Sequence, residues 1–152
     1  MIVTSPLLRT VQTAQAVAAV TGAAVVTDDG FRETDFGAWE GLTFAEVRER
    51  WPAEMSAWLA DPEVAPPGGE SFTDVSARVT AALDRVLAVR TGQTVLIVSH
   101  VTPIKMLVAA ALLAPPAALY RMHLDVAALS EIDWYADGPA VLRSFNDTGH
   151  LS

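Results

Sequence analysis

Thr94-Val-Leu-Ile-Val-Ser99 is an almost uninterrupted apolar run of strand length that leads through His100 into a further helix-forming stretch. A run of this kind reads as a strand buried on both faces, the pattern of a parallel sheet covered by helices. Such a strand cannot stand alone, so the rest of the chain must supply neighbouring strands and the layers above and below. Ile2-Val3-Thr4 form a short β-favouring stub, and Ser5-Pro6 read as an N-cap followed by proline at the first helical position. Leu7, Leu8, Val11, Ala14, Val17 and Ala18 then recur at helical spacing until Gly22. Ala24 to Thr27 is a short strand candidate, closed by Asp28-Asp29-Gly30.

Residues 31–42 carry Gly37 and Gly41 among mixed side chains and predict an ordered loop. Thr43-Phe-Ala-Glu46 matches a capping box, so a helix starts there and runs toward Trp51, where Pro52 interrupts it. A second short helix is expected over about 53–60, before the turn-rich Pro62-Glu-Val-Ala-Pro-Pro-Gly-Gly. From Ser71 a long helix shows Phe72, Val75, Val79, Ala82, Leu83 and Val86 on one face and ends before Gly92. Ala128–Tyr135 and Ala140–Phe145, separated by Asp137-Gly-Pro139, predict a hairpin at the far edge of the sheet. The expectation is one α/β domain over residues 1–152, a three-layer arrangement with a mostly parallel mixed sheet flanked by helices.

Composition narrows the function. The chain has 51% hydrophobic and 18% charged residues, a globular balance. Its net charge is −8 and its ten basic residues are scattered, which disfavours a nucleic-acid footprint and a membrane-surface patch. There is no cysteine, hence no disulfide, thiolate nucleophile or Cys-bound zinc. No spacing resembles a metal site. Met106 to Leu119 is greasy but broken by Pro115-Pro116, shorter than the ~20 residues that span a bilayer, and predicts a buried helix. With no basic-then-apolar leader at Met1, a cytoplasmic location is expected.

Two strand-to-helix junctions carry chemistry-bearing side chains: Thr4-Ser5-Pro-Leu-Leu-Arg9 and Val98-Ser-His100-Val101-Thr102. Ligands collect beyond the carboxyl ends of strands in open α/β sheets, where helix N-termini point free N–H groups at anions. Arg9 falls in the first turn of its helix, where the macrodipole disfavours a cation by ~0.3–1 kcal/mol, a placement explained by an anionic ligand or by simple surface exposure. His100 suits an electrostatic partner for a phosphoryl group, or equally a buried core histidine. Phe31-Arg-Glu33-Thr-Asp35-Phe-Gly-Ala-Trp-Glu40-Gly holds three carboxylates among aromatics, any of which partial desolvation would suit to general-acid work; an acidic surface loop is the alternative. Gly68-Gly-Glu70-Ser71 could line a site but reads better as a turn and N-cap, and His123 and His150 read as surface or structural residues.

Ser5-Pro-Leu-Leu-Arg9-Thr-Val-Gln-Thr-Ala, Glu33-Thr-Asp-Phe-Gly-Ala-Trp-Glu-Gly, Pro67-Gly-Gly-Glu-Ser and Val98-Ser-His100 follow one another in the order of the motifs of the histidine phosphatase (phosphoglycerate mutase-like) superfamily. The chain resembles that family along nearly its whole length, most of all the alpha-ribazole phosphatase-like domain at the C-terminus of bifunctional ribonuclease H/acid phosphatase proteins. The resemblance implies phosphomonoester hydrolysis through a phosphohistidine, without metal or organic cofactor. It implies that Arg9 and His100 bind the phosphoryl oxygens, that Ser5, Val101 and Thr102 line the substrate site, and that Glu33 is the acid/base. Partners implied are a small phosphorylated substrate and, in relatives, an upstream ribonuclease H domain. Val101-Thr102 replace the Gly-Gly that often follows the family's histidine. The family's nucleophilic Arg-His-Gly motif is absent from this sequence, so the chain is expected to lack the family's first strand, to be truncated at its N-terminus, and to be unstable or self-associating and nearly silent by itself. A non-catalytic phosphate-binding pseudo-enzyme and a phosphoglycerate mutase are the alternatives; residues 52–70, without a basic side chain, disfavour the mutase.

Overall fold

The computed structural model describes residues 1–152. Its first layer is a small parallel sheet of β1 (Ile2–Thr4), β2 (Val25–Thr27) and β3 (Leu96–Val98), ordered β2-β1-β3. Register runs Val3 opposite Val26 on one side and Ile97 on the other. Parallel neighbours need crossover connections, and α1 (Leu8–Thr21) supplies the one between β1 and β2. Helix α1 lies against all three strands. Side chains alternate across a strand, so Ile2 and Thr4 face away from Val3, and Val3 joins the main core built on α4 (Phe72–Val89) and α5 (Val101–Ala111).

The predicted apolar stripe of α4 is fully buried at Phe72, Val75, Val79, Ala82, Leu83 and Val86. Burial of each large side chain there stabilises the fold by about 1.5–3 kcal/mol relative to exposure. Ser71 caps the helix, accepting from the Asp74 amide while the Asp74 carboxylate accepts from the Ser71 amide. The same reciprocal box, Thr43 with Glu46, opens α2 (Phe44–Arg50), and Pro52 starts α3 (Pro52–Ala60). Trp58 on α3 anchors the loop ahead of α2, its ring 5.6 Å from Trp39 and 5.0 Å from Phe72.

Four expectations change. The hairpin of β4 (Leu129–Trp134) and β5 (Ala140–Asp147) forms, but as a separate two-stranded sheet carried on α5 rather than as the edge of the parallel one. The apolar run at β3 is only half buried, because β3 pairs with β1 on one side and has no strand on the other. Helix α1 begins at Leu8, three residues beyond Ser5: Leu7, extended at φ −68° and ψ 139°, takes the N-cap position, and the Ser5 hydroxyl accepts from the Leu7 amide without capping the helix. The greasy stretch after Met106 is a buried helix only as far as Ala111, and Leu112 and Leu113 are exposed. No helix is long and apolar enough to cross a membrane.

Candidate active site

The carboxyl ends of adjacent strands β1 and β3 bring the two predicted junctions together. Ser5 follows β1 and is completely buried; His100 follows β3 and is 7% exposed. The His100 Nε2 and the Ser5 Oγ are 2.8 Å apart, and the Ser5 amide donates to the Val98 carbonyl at 3.0 Å. Thr10 on α1 reinforces the turn, its hydroxyl 2.9 Å from the Ser5 carbonyl. His100 is the N-cap residue of α5, with no side-chain cap, so the amides of Val101 and Thr102 open the helix without intrahelical acceptors. Val101 is exposed at this end and Thr102 is buried. Burial, with the positive charges of Arg9 and Arg78 nearby, pushes the His100 imidazole down to about 4, so it is neutral at physiological pH.

Arg9 is exposed in the first turn of α1, and no side chain pairs with it. It shares the wall of an open cleft of about 840 Å³ with Arg32, Glu33, Thr34 and Asp35. Arg9 and Glu33 thus meet in one concavity. Ser5, His100, Val101 and Thr102 lie outside that lining, and His100 is tied to the cleft through the charge of Arg9. A smaller hollow of about 210 Å³ between Phe36, Trp39, Phe44 and Val47 contains none of the predicted site residues.

Glu33 is partly exposed, and its Oε1 accepts from the Thr34 amide at 2.8 Å. The backbone around it is held from two sides. Ser99, the residue before His100, donates its hydroxyl to the Phe31 carbonyl at 2.7 Å. Arg78 on α4 donates to the carbonyls of Gly30, Arg32 and Glu33 at 2.9, 2.8 and 3.0 Å. Glu70, read from sequence as part of a turn, pairs with Arg78 at 2.8 Å and accepts from the Asp35 amide at 2.9 Å. Although burial pushes its carboxyl upward, the hydrogen bonds from Arg78 and Asp35 hold it below the ordinary glutamate value. Sequence reasoning missed Arg78. Its signal was a lone arginine three residues after Val75 and four before Ala82, on the margin of an otherwise apolar face. Asp35 and Glu40 are turned to local work, accepting from the amides of Gly37 and Phe36. His123 is exposed and bonded to Asp125, and His150 is exposed. No three His, Asp or Glu side chains cluster as a metal would require.

The chain matches the histidine phosphatase superfamily (branch 1) over residues 1–148. It is 53% identical over 150 residues to the bifunctional protein Rv2228c of Mycobacterium tuberculosis, covering 99% of this chain and 41% of that one. It therefore spans about two-fifths of the length of the curated relatives it matches first. Its fold superposes on a mycobacterial glucosyl-3-phosphoglycerate phosphatase, Rv2419c, in complex with inorganic phosphate, with a TM-score of 0.87 and 31% identity over 100% of this chain and 79% of that one. The alpha-ribazole phosphatase of Shigella flexneri gives a TM-score of 0.85 and 28% identity, covering 97% and 73%. With the motif order carried by a fold of this likeness, the chain belongs to the histidine phosphatase superfamily, branch 1.

Proposed function

We propose that residues 1–152 form the anion-binding and leaving-group side of a phosphomonoester hydrolase that works through a phosphohistidine. The observation that carries this reading is the pairing of two helix starts at the ends of β1 and β3: Arg9 on one, a neutral His100 on the other, with Glu33 in the same cleft as Arg9. Arg9 supplies a planar, permanently charged fork for phosphoryl oxygens. The open amides of α5 supply donors, and so does His100 at Nδ1 in the tautomer whose Nε2 accepts from the Ser5 hydroxyl. In the reaction a nucleophilic imidazole nitrogen bonds to phosphorus as the ester P–O bond breaks, and Glu33 passes its proton to the departing alkoxide oxygen. Water then attacks phosphorus as the P–N bond of the phosphohistidine breaks, releasing orthophosphate and the imidazole, while the Glu33 carboxylate takes a proton from that water, which returns the acid to its starting form.

Within these residues the only histidine near Arg9 is His100, which is buried and engaged with Ser5. The attacking imidazole in this reading belongs to an Arg-His-Gly segment outside residues 1–152, so these residues alone turn substrate over slowly; removing the nucleophile of a covalent catalyst costs several orders of magnitude. The substrate class is a small phosphomonoester. The test is hydrolysis of p-nitrophenyl phosphate by residues 1–152 and by the same residues extended through the upstream reading frame, with orthophosphate binding measured on both. Turnover only in the extended protein, with orthophosphate bound by both, supports the reading. Turnover by the short chain that disappears in His100→Ala makes His100 itself the nucleophile. Orthophosphate binding without turnover in either makes the chain a phosphate-binding pseudo-enzyme.

A further inference from the structure

We infer that Arg78, braced by Glu70, is the positioning residue for the acid/base carboxylate: it fixes the loop carrying Glu33 at the mouth of the cleft. The inference rests on the reading of Glu33 as the group that protonates the leaving oxygen.

A guanidinium has five N–H donors, and all five of Arg78 are committed inside the chain. Two go to the Glu70 carboxylate, at 2.8 and 2.9 Å, in the parallel fork that arginine forms best. The other three go to the carbonyls of Gly30, Arg32 and Glu33, so three of four consecutive residues ending at Glu33 are gripped by one side chain. Arg78 lines the cleft beside Glu70 and its charge is felt at His100, but no donor remains for a ligand, and every hydrogen bond it makes goes to the loop or to its brace. Glu70 extends the grip past Glu33, because its Oε2 accepts from the Asp35 amide at 2.9 Å and its own amide donates to the Asp35 carbonyl at 2.8 Å. The backbone is thus pinned at Arg32, at Glu33 itself and two positions on at Asp35, on both sides of the carboxyl that must meet the leaving oxygen.

This stretch has no repeating structure of its own to hold it. Between the single turn that ends at Phe31 and the next that starts at Gly37, residues 32–36 are neither helix nor strand. Without Arg78 three carbonyls lose their donor, and Glu33 is free to swing with its backbone. Its Oε1 is oriented by the Thr34 amide, so the direction of the carboxyl depends on the same backbone that Arg78 holds. A general acid must stand within hydrogen-bond reach of the atom it protonates, and a misplacement of about 1 Å costs on the order of 10²-fold.

The experiment compares two esters that differ in their need for that proton, in whichever of the two proteins described above turns over. The p-nitrophenolate of p-nitrophenyl phosphate leaves as a stabilised anion; the alkoxide of β-glycerol phosphate does not. Arg78→Lys keeps the charge and loses the fork, and Glu70→Gln loosens the brace while keeping its size. Both are expected to lower kcat/KM for β-glycerol phosphate by about 10²-fold while kcat/KM for p-nitrophenyl phosphate stays within about threefold and orthophosphate affinity is unchanged. Glu33→Gln sets the full size of the split. Equal losses on both esters, or no loss on either, overturn the positioning role. Absence of turnover in both proteins, or of any split in Glu33→Gln, overturns the acid/base reading, and the inference falls with it.

Discussion

The hydroxyl of Ser5 lies 2.8 Å from the His100 Nε2, so a residue just past the first strand and one just past the third, 95 positions apart, share a single buried hydrogen bond. This bond joins the two strand ends that lead into Arg9 and His100, the groups proposed to bind the anion. Ser5→Ala leaves a buried imidazole nitrogen without that partner, and a lost partner of this kind costs about 1–3 kcal/mol. Urea denaturation of the variant should show a lower midpoint with an unchanged slope; an unchanged midpoint would mean that water replaces the hydroxyl at no cost.

Stability should fall on acidification through the window set by His100. Its native value is about 4 against 6.5 in the unfolded chain, so the unfolded chain binds the extra proton between those limits. The contribution is therefore complete above pH 6.5 and is lost as the pH drops to about 4, a change of about 3 kcal/mol at roughly 1.4 kcal/mol per unit. Glu70 and Asp28, both held low by their arginine partners despite burial, act in the same direction at lower pH. Stability measured between pH 4 and 7 should slope upward, and His100→Gln should flatten the part above pH 4.5. A slope that survives that substitution assigns the effect to other groups.

Orthophosphate binding should depend on Arg9 and carry a proton with it. Charge-assisted contacts of an arginine with an oxyanion are worth about 1.5–3 kcal/mol, so Arg9→Ala should weaken binding by roughly 10- to 100-fold. A dianion beside a neutral imidazole favours its protonated form, which raises the His100 value in the complex. Calorimetry in buffers of different ionisation heat should register proton uptake below neutral pH, absent in His100→Gln. Binding without proton uptake would place the anion away from His100.

Much of this architecture was legible because it is local. The stripe from Phe72 to Val86 follows the helical repeat, and the capping box of Thr43 and Glu46 lies within four residues of chain. The burial of β3 was misread because an apolar run says what a strand tolerates, while its neighbours decide what covers it; Leu96–Val98 has β1 on one side only. Ser5 looked like a helix cap because Ser-Pro commonly is one, and its partner across the sheet is invisible to a local pattern. Arg78 escaped for the same reason: the carbonyls it holds lie 45 to 48 positions earlier, and backbone carbonyls carry no sequence signature.

Gly37 is the point where the loop that carries Glu33 meets the turn before α4, and it should not tolerate a side chain. Its φ is +53°, and a Cβ there would strike the Pro67 carbonyl and come within 2.6 Å of the Gly69 amide nitrogen. Left-handed backbone alone costs a residue other than glycine of order 1–3 kcal/mol. Gly37→Ala should lower the thermal midpoint and loosen the contact between the Ala38 amide and the Pro67 carbonyl, now 2.9 Å. A midpoint equal to that of the parent would show that the two loops part without penalty.

The hairpin of β4 and β5 is hydrogen-bonded only to itself as a sheet and is seated on α5, with Ile132 and Trp134 reaching the common core. A unit attached by side chains alone, with no ladder shared with β1 to β3, has its own free energy of detachment, lower than that of the whole molecule. Its amide protons should accordingly trade with solvent deuterium through a separate and earlier opening, while those of α4 wait for the entire fold to come apart.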